Sequence, residues 1–259
     1  MPRTDVVSQE KIADGLYRMV IKSPVDLSQS AYMPGQFLHF RVSDSIDFML
    51  RRPISLCLAD EANNLVTVVY RAQGEGTKRL ARLTAGDTVD VIGPLGKGFP
   101  LHEESSATLV IGGGIGVPPL LELAKKLRAK GTRVVAILGF QKASQAILIE
   151  EFKALAEVFI VTDDGSMGKK GLVTDLLDAS MTDGISRYYA CGPTPMLRAV
   201  KETLEPSGIL GYLSLEERMG CGIGLCAGCV HKIQDNDGVH YVKTCKEGPV
   251  FAAEEVVFS

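Results

Sequence analysis

Cys221, Cys226, Cys229 and Cys245 stand in the pattern C-x4-C-x2-C-x15-C. Thiolates are soft ligands suited to zinc and to iron–sulfur clusters. The C-x4-C-x2-C spacing with a distant fourth cysteine is that of a plant-type [2Fe–2S] site. Three thiolates must then come from one tight loop that wraps its metal closely. Gly222, Gly224 and Gly228 give the loop its backbone freedom and let amide N–H groups approach sulfur. Met219, Ile223, Leu225 and Val230 are placed to shield it from water. Clustered cysteines also bind structural zinc, but zinc sites usually have two short knuckles, and no second one flanks Cys245. A disulfide framework is disfavoured in a reducing compartment. The iron–sulfur reading leads both.

A second set of residues suits a dinucleotide. Ile111-Gly112-Gly113-Gly114-Ile115-Gly116-Val117-Pro118-Pro119 joins an apolar run to a helical one. A Gly-rich turn that opens a helix offers free N–H groups and a favourable dipole to a diphosphate. Alone it is equally a tight strand–helix turn. Thr162-Asp163-Asp164-Gly165-Ser166 and Cys191-Gly192-Pro193-Thr194-Pro195-Met196 follow two further apolar runs. Ligands of open α/β sheets bind beyond the carboxyl ends of strands, so three such loops point to one crevice. Cys191 is read either as a small buried apolar residue or as a neighbour of a nicotinamide ring there. No ribose-binding acid follows the second strand, where Gly139-Phe140-Gln141 sits, and no Arg follows it closely. The motif leaves NAD against NADP open.

Arg51-Arg52-Pro53-Ile54-Ser55-Leu56 is a third candidate. An Arg can pair with a diphosphate and a Ser hydroxyl can bond a flavin nitrogen. Gly74-Glu75-Gly76-Thr77 then opens a helix, a further place for an anion. A solvated Arg and an ordinary helix cap are the plainer alternatives. His39, His102, His231 and His240 are scattered and form no recognisable catalytic pair, so each is read as an ordinary surface or core histidine.

The elements that must position these residues fall into three stretches. Residues 1–102 read as a β-barrel: short apolar or alternating runs at 16–21, 37–42, 54–58, 65–70 and 88–92, separated by turn signals and interrupted by a helix at 77–83. Residues 103–208 alternate strands (108–111, 133–139, 158–162, 188–190) with helices (118–130, 146–155, 171–177, 195–204), the pattern of a doubly wound α/β domain with a parallel sheet. Residues 209–259 carry the cysteines as a small C-terminal unit. The 259 residues are 46% hydrophobic and 23% charged, enough to build such cores. A net charge of −3 without a basic run argues against nucleic acid and anionic membranes. No apolar leader opens the chain, and the longest uncharged run, between Glu104 and Glu122, is broken by glycines and prolines. A cytoplasmic location is expected.

The order Arg-Pro-Ile-Ser (52–55), GGGIG-x-PP (112–119) and CGP-x-PM (191–196) resembles the ferredoxin–NADP reductase superfamily. That family pairs an FAD-binding barrel with a nicotinamide-binding α/β domain. With Glu216 to Gly220, CGIGLCAGC from Cys221 to Cys229 and Gly248-Pro249-Val250-Phe251 added, the whole chain is similar to electron-transfer subunits of dihydroorotate dehydrogenase B. The resemblance implies FAD at Arg52, Pro53, Ile54, Ser55, Val69, Tyr70, Arg71, Gly76 and Thr77. Ile54 stands where the family usually has an aromatic residue. It implies NAD at Gly113, Gly114, Gly116 and Cys191, and a [2Fe–2S] cluster on the four cysteines. It further implies an FMN-containing catalytic partner in a heterotetramer of two of each, and a route from dihydroorotate through cluster and FAD to NAD+ in pyrimidine biosynthesis. No residue of this chain then acts as a base on the pyrimidine. The alternative is an NAD(P)H-dependent ferredoxin reductase or sulfite reductase subunit of the same plan. A zinc-stabilised binding module would leave Arg52 and the glycine loops unexplained.

Overall fold

A computed structural model of the chain describes residues 3–43, 45–102 and 107–258. Six antiparallel strands come first: β1 (Arg3–Ala13), β2 (Leu16–Lys22), β3 (Phe37–Arg41), β4 (Arg52–Asp60), β5 (Leu65–Arg71) and β6 (Thr88–Leu95). They close into a barrel in the order β1-β2-β5-β4-β3-β6, with Arg3 opposite Asp90 at the seam. Closure leaves no open sheet edge. Helix α1 (Glu75–Leu80) lies between β5 and β6. Met19, Leu38, Phe40, Leu56, Val66 and Val68 fill the interior, each fully buried. Each such side chain contributes about 1.5–3 kcal/mol of hydrophobic stabilisation.

The second unit contains β7 (Ala107–Gly113), α2 (Pro118–Ala129), β8 (Val134–Phe140), α3 (Ile149–Lys153), β9 (Glu157–Thr162), the short β10 (Lys169–Lys170), α4 (Ala179–Thr182), β11 (Ile185–Cys191), α5 (Thr194–Leu204) and β12 (Leu210–Ser214). β7 and β8 are buried at every residue, as expected for central parallel strands covered on both faces. Val110, Ala136 and Leu138 pack towards Leu120, Leu123 and Leu127 of α2. Leu109, Ile111 and Ile137 face the other way, towards Leu197, Val200 and Leu204 of α5. The strand order β10-β9-β8-β7-β11-β12 reverses direction between β7 and β11, and ligands of such sheets bind at that switch point.

The last segment forms the hairpin β13 (Val230–Asp235) and β14 (Gly238–Lys243), then β15 (Val250–Ala252), which pairs antiparallel with β12. The sheet thus takes in Leu210–Ser214 and Val250–Ala252 from beyond the boundary expected at 208/209. The boundary expected at 102/103 falls where residues 103–106 lie outside the described set. The helix read at 146–155 is the shorter α3, and the one at 171–177 is a single 3-10 turn over Val173–Leu176. Among the described residues no helix is long and apolar enough to cross a membrane.

β3 ties the barrel to the cysteine segment. Leu38 and Phe40 point into the barrel, so Phe37 and His39 alternate outward. Both are nevertheless buried, because the cysteine segment covers that face: Phe37 packs with Cys229 and Cys245, and His39 lies against Gly222.

Candidate cofactor sites

The four expected ligands come together at the barrel edge, all as free thiols. They form two pairs. Cys221 faces Cys226 near the surface, and Cys229 faces Cys245 in the buried pocket of Phe37, Leu95 and Met219. Among the described residues, no three His, Cys, Asp or Glu side chains converge on one metal-ion position. A binuclear cluster takes two thiolates on each iron, and the two pairs fit that ligation. Amide groups are aimed at sulfur: Cys226 N–H donates to Cys221 Sγ (3.4 Å) and Gly224 N–H to Cys245 Sγ (3.2 Å). The Cys226 amide, followed by that of Ile223, pulls the Cys221 thiol down to about 6. Burial, reinforced by the facing Cys229, pushes Cys245 up to about 12 against the Gly224 amide. The loop therefore fits an anionic iron–sulfur group. Gly222 and Gly224 have φ of +72° and +82°, which side chains other than Gly rarely adopt.

A cavity of about 880 Å3 lies where the three units meet. Its walls are Ile46, Phe48 to Arg52 and Pro53 from the barrel, Thr77 from α1, Gly192-Pro193-Thr194 from the turn after β11, and Glu216–Met219 leading into the cysteine loop. Its size suits a large organic cofactor.

The two adjacent arginines of the barrel strand have different tasks. Arg51 Nη2 donates to both carboxylate oxygens of Asp90 (2.8 and 2.9 Å), both side chains 12% exposed, and Nη1 donates to the His39 and Asp90 carbonyls; standing just before β4, it ties the start of that strand to β6 across β3. Arg52 has no carboxylate partner among the described residues; its Nη1 rests on the Leu50 and Arg51 carbonyls. Its guanidinium lies on Gly76, where an added Cβ would stand 2.7 Å from Nε. Gly74 caps α1 without a side-chain bond, so the first N–H groups of α1 lie beside Arg52 with no cap, and Thr77 Oγ donates to the Gly74 carbonyl. A guanidinium beside free amides suits a diphosphate. Ile54 is 7% exposed and belongs to the barrel core, and Ser55 lies on the opposite face of β4. Val69 and Tyr70 are buried too; Tyr70 donates to Gln9 Oε1 (2.8 Å) and stacks on Tyr17, while Arg71 is partly exposed at the strand end.

At the switch point the glycines serve packing first. A Cβ on Gly116 would stand 2.3 Å from the Cys191 carbonyl oxygen, and one on Gly113 2.3 Å from Met196 Sδ. These residues let the turns after β7 and β11 touch. Gly114, with φ +54° and open space beside it, is the one free to meet a ligand. Cys191 ends β11 between Gly112 and Ser214; burial pushes its thiol up to about 12, so it stays neutral at physiological pH. Asp163 and Asp164 approach the end of β8 through their amides, which donate to the Phe140 and Gln141 carbonyls. Sequence reading did not identify the wall residues Ile46, Phe48, Met49 and Leu50, which carry no spacing of their own.

Comparison with known proteins matches the family described as the iron–sulfur cluster binding domain of dihydroorotate dehydrogenase B over residues 216–257, and the oxidoreductase NAD-binding domain over 110–202. A dihydroorotate dehydrogenase B (NAD(+)) electron transfer subunit from Bacillus mycoides is 48% identical over 255 residues, 97% of this chain and 96% of its own. The subunit of that name from Bacillus caldolyticus is 48% identical over 98% of both chains. The solved structure of an NADH-dependent reduced ferredoxin–NADP oxidoreductase superposes with TM-score 0.86 at 28% identity, covering 99% of this chain and 90% of its own. Phthalate dioxygenase reductase shares the fold, with TM-score 0.67 at 19% identity over 94% of both chains.

Proposed function

The chain belongs to the family of dihydroorotate dehydrogenase B (NAD+) electron transfer subunits, an oxidoreductase component serving a separate catalytic subunit, and from that premise we propose how its residues divide the work. Electrons released by oxidation of dihydroorotate in the partner reach NAD+ by way of this chain, as a step of pyrimidine biosynthesis. Flavin supplies the exchange between single electrons and hydride that an iron–sulfur centre and a nicotinamide need when they work together.

Arg52, with the uncapped amides at Gly76 and Thr77, holds the FAD diphosphate. Pro53 faces the flavin cavity, and Ser55 offers a hydroxyl on the outward face of β4. Ile54, Val69 and Tyr70 shape that wall from behind, as part of the buried core. The Gly113–Gly116 turn and Cys191 seat the nicotinamide dinucleotide, with a neutral Cys191 thiol excluding water without adding charge. Cys221, Cys226, Cys229 and Cys245 hold the [2Fe–2S] cluster. The observation that carries this reading is the shared cavity, because its walls come from all three units.

The partner is an FMN-bearing catalytic subunit, two of each in the assembly, working in the cytoplasm. It docks near residues 219–230, where Ile223 and Leu225 are 49% and 79% exposed. Purified alone, the chain should reduce artificial electron acceptors with NADH and leave dihydroorotate untouched. Orotate formation by the isolated chain refutes the division of labour. Co-purification of a ferredoxin or a sulfite reductase component in place of a pyrimidine-oxidising subunit refutes the partner.

A further inference from the structure

His39 is a core residue of an unusual kind. It is fully buried at the contact between barrel and cysteine loop, and among the described residues neither ring nitrogen makes a hydrogen bond of good geometry, although the Arg51 and Cys221 backbones approach the ring. A neutral imidazole always carries one N–H and one acceptor nitrogen, so at least one N–H is left bare whichever tautomer is present. Buried polar groups are rarely left so, and an orphan of this sort calls for an explanation.

The surroundings indicate what is missing. His39 stands on β3 opposite Pro53, one residue from the Arg52 that faces Gly76. Its ring lies on Gly222, where an added Cβ would come within 2.2 Å of Nδ1. Gly222 follows Cys221 directly and takes a left-handed φ of +72°, so the loop is shaped to accept the ring. Phe37, two residues earlier on the same face, covers Cys229 and Cys245. The Thr244 hydroxyl, beside Cys245, is also buried and unpaired. Two buried side-chain donors, His39 and Thr244, thus stand beside the cysteine segment without a well-formed bond among the described residues.

We propose that His39 is a positioning residue that donates a ring N–H to a sulfur of the iron–sulfur group, so that the barrel which carries the flavin site also sets the cluster's reduction potential. The inference rests on the cluster assignment made above. Hydrogen bonds to sulfur stabilise the more negative, reduced form and raise the potential. The bond also fixes the cysteine loop against β3, which holds the distance between the cluster and the flavin strand.

The test is anaerobic redox titration of the cluster-loaded chain, followed by the EPR signal of the reduced cluster and by flavin absorbance. His39→Phe keeps a ring of similar size and removes the N–H. Its cluster should become about tenfold harder to reduce, a shift of about −59 mV for a one-electron couple. The flavin potential and the iron and sulfide content should not move. His39→Gln, which retains an N–H donor, should recover part of the shift. Hyperfine spectroscopy of the 15N-histidine-labelled chain supplies a second readout that needs no stable Phe variant. A coupling that His39→Gln alters and His231→Asn leaves in place supports the bond, and no histidine coupling overturns it. An intact cluster with an unmoved potential in His39→Phe also overturns it. Absence of iron and sulfide from the unsubstituted chain overturns the cluster assignment itself, and the bond with it.

Discussion

Replacing Gly76 with Ala separates cofactor binding from folding in a way that few substitutions in this chain can. The new Cβ would stand 2.7 Å from Arg52 Nε, 3.0 Å from Nη2 and 3.1 Å from Cζ. These atoms end a flexible side chain that, among the described residues, the Leu50 and Arg51 carbonyls restrain, so the guanidinium gives way by roughly 1 Å to restore van der Waals contact. The backbone stays in place. A displaced guanidinium loses its charge-assisted bond to a diphosphate, about 1.5–3 kcal/mol. At about 1.4 kcal/mol per decade this weakens FAD binding by about 10- to 100-fold. The fold responds in the opposite direction, because Ala is favoured over Gly in a helix by up to about 1 kcal/mol. Titrating FAD into the apoprotein, with flavin fluorescence as the signal, gives the affinity, and thermal melting of the apoprotein gives the stability. Unchanged FAD affinity would refute the role given to Arg52. A melting point lowered in step with affinity would refute the claim that the substitution acts through Arg52 alone.

Three other substitutions test the remaining assignments. Gly116→Ala drives a Cβ against the Cys191 backbone, which cannot yield; it should cost about 1–3 kcal/mol in denaturant unfolding and raise the KM for NADH. Gly113→Ala meets only the flexible end of Met196 and should be milder on both counts. Cys226→Ser should eliminate the EPR signal of the native cluster and electron flow to the partner, while FAD remains bound and NADH still reduces dyes; unchanged NAD-linked turnover in the assembled enzyme would rule out the assigned path. Burial pushes the Cys57 thiol from 9.0 up to about 12. The unfolded chain therefore releases this proton first: the stabilisation is full below pH 9 and is lost as pH rises from 9 towards 12. The slope is up to about 1.4 kcal/mol per pH unit, and Cys57→Ala should flatten it in urea titrations between pH 9 and 11.

The parts legible in the sequence were those where one physical cause acts locally. The cysteine spacing reflects a loop that wraps its ligands, and the apolar runs of β7 and β8 reflect strands covered on both faces. Elements defined by distant partners were not legible. β1 reads as polar because chiefly Thr4 and Val6 turn inward, while Gln9 reaches the Leu80 and Leu83 carbonyls to cap α1. β12 carries Gly211, which resembles a loop residue until the Tyr188 ring of β11 is seen lying against it, 2.1 Å from where a Cβ would stand. The glycine turn after β7 also answers a constraint that spacing does not show: Gly113 and Gly116 pack against the Cys191–Met196 segment, far away in sequence. Arg51 and Arg52 cannot be told apart by spacing; Asp90, on β6, distinguishes them. His39 looked like any core histidine because its bare ring nitrogens are a property of the assembled interface.

The central claim is that this chain joins a nicotinamide site to an iron–sulfur site through one flavin-sized cavity. Anaerobic addition of NADH to the purified chain, followed by EPR at low temperature and by iron and acid-labile sulfide analysis, tests it most directly. The expected result is a [2Fe–2S] composition and a reduced-cluster signal that NADH alone produces. A chain that contains zinc without sulfide, or a cluster that dithionite reduces and NADH does not, would contradict it.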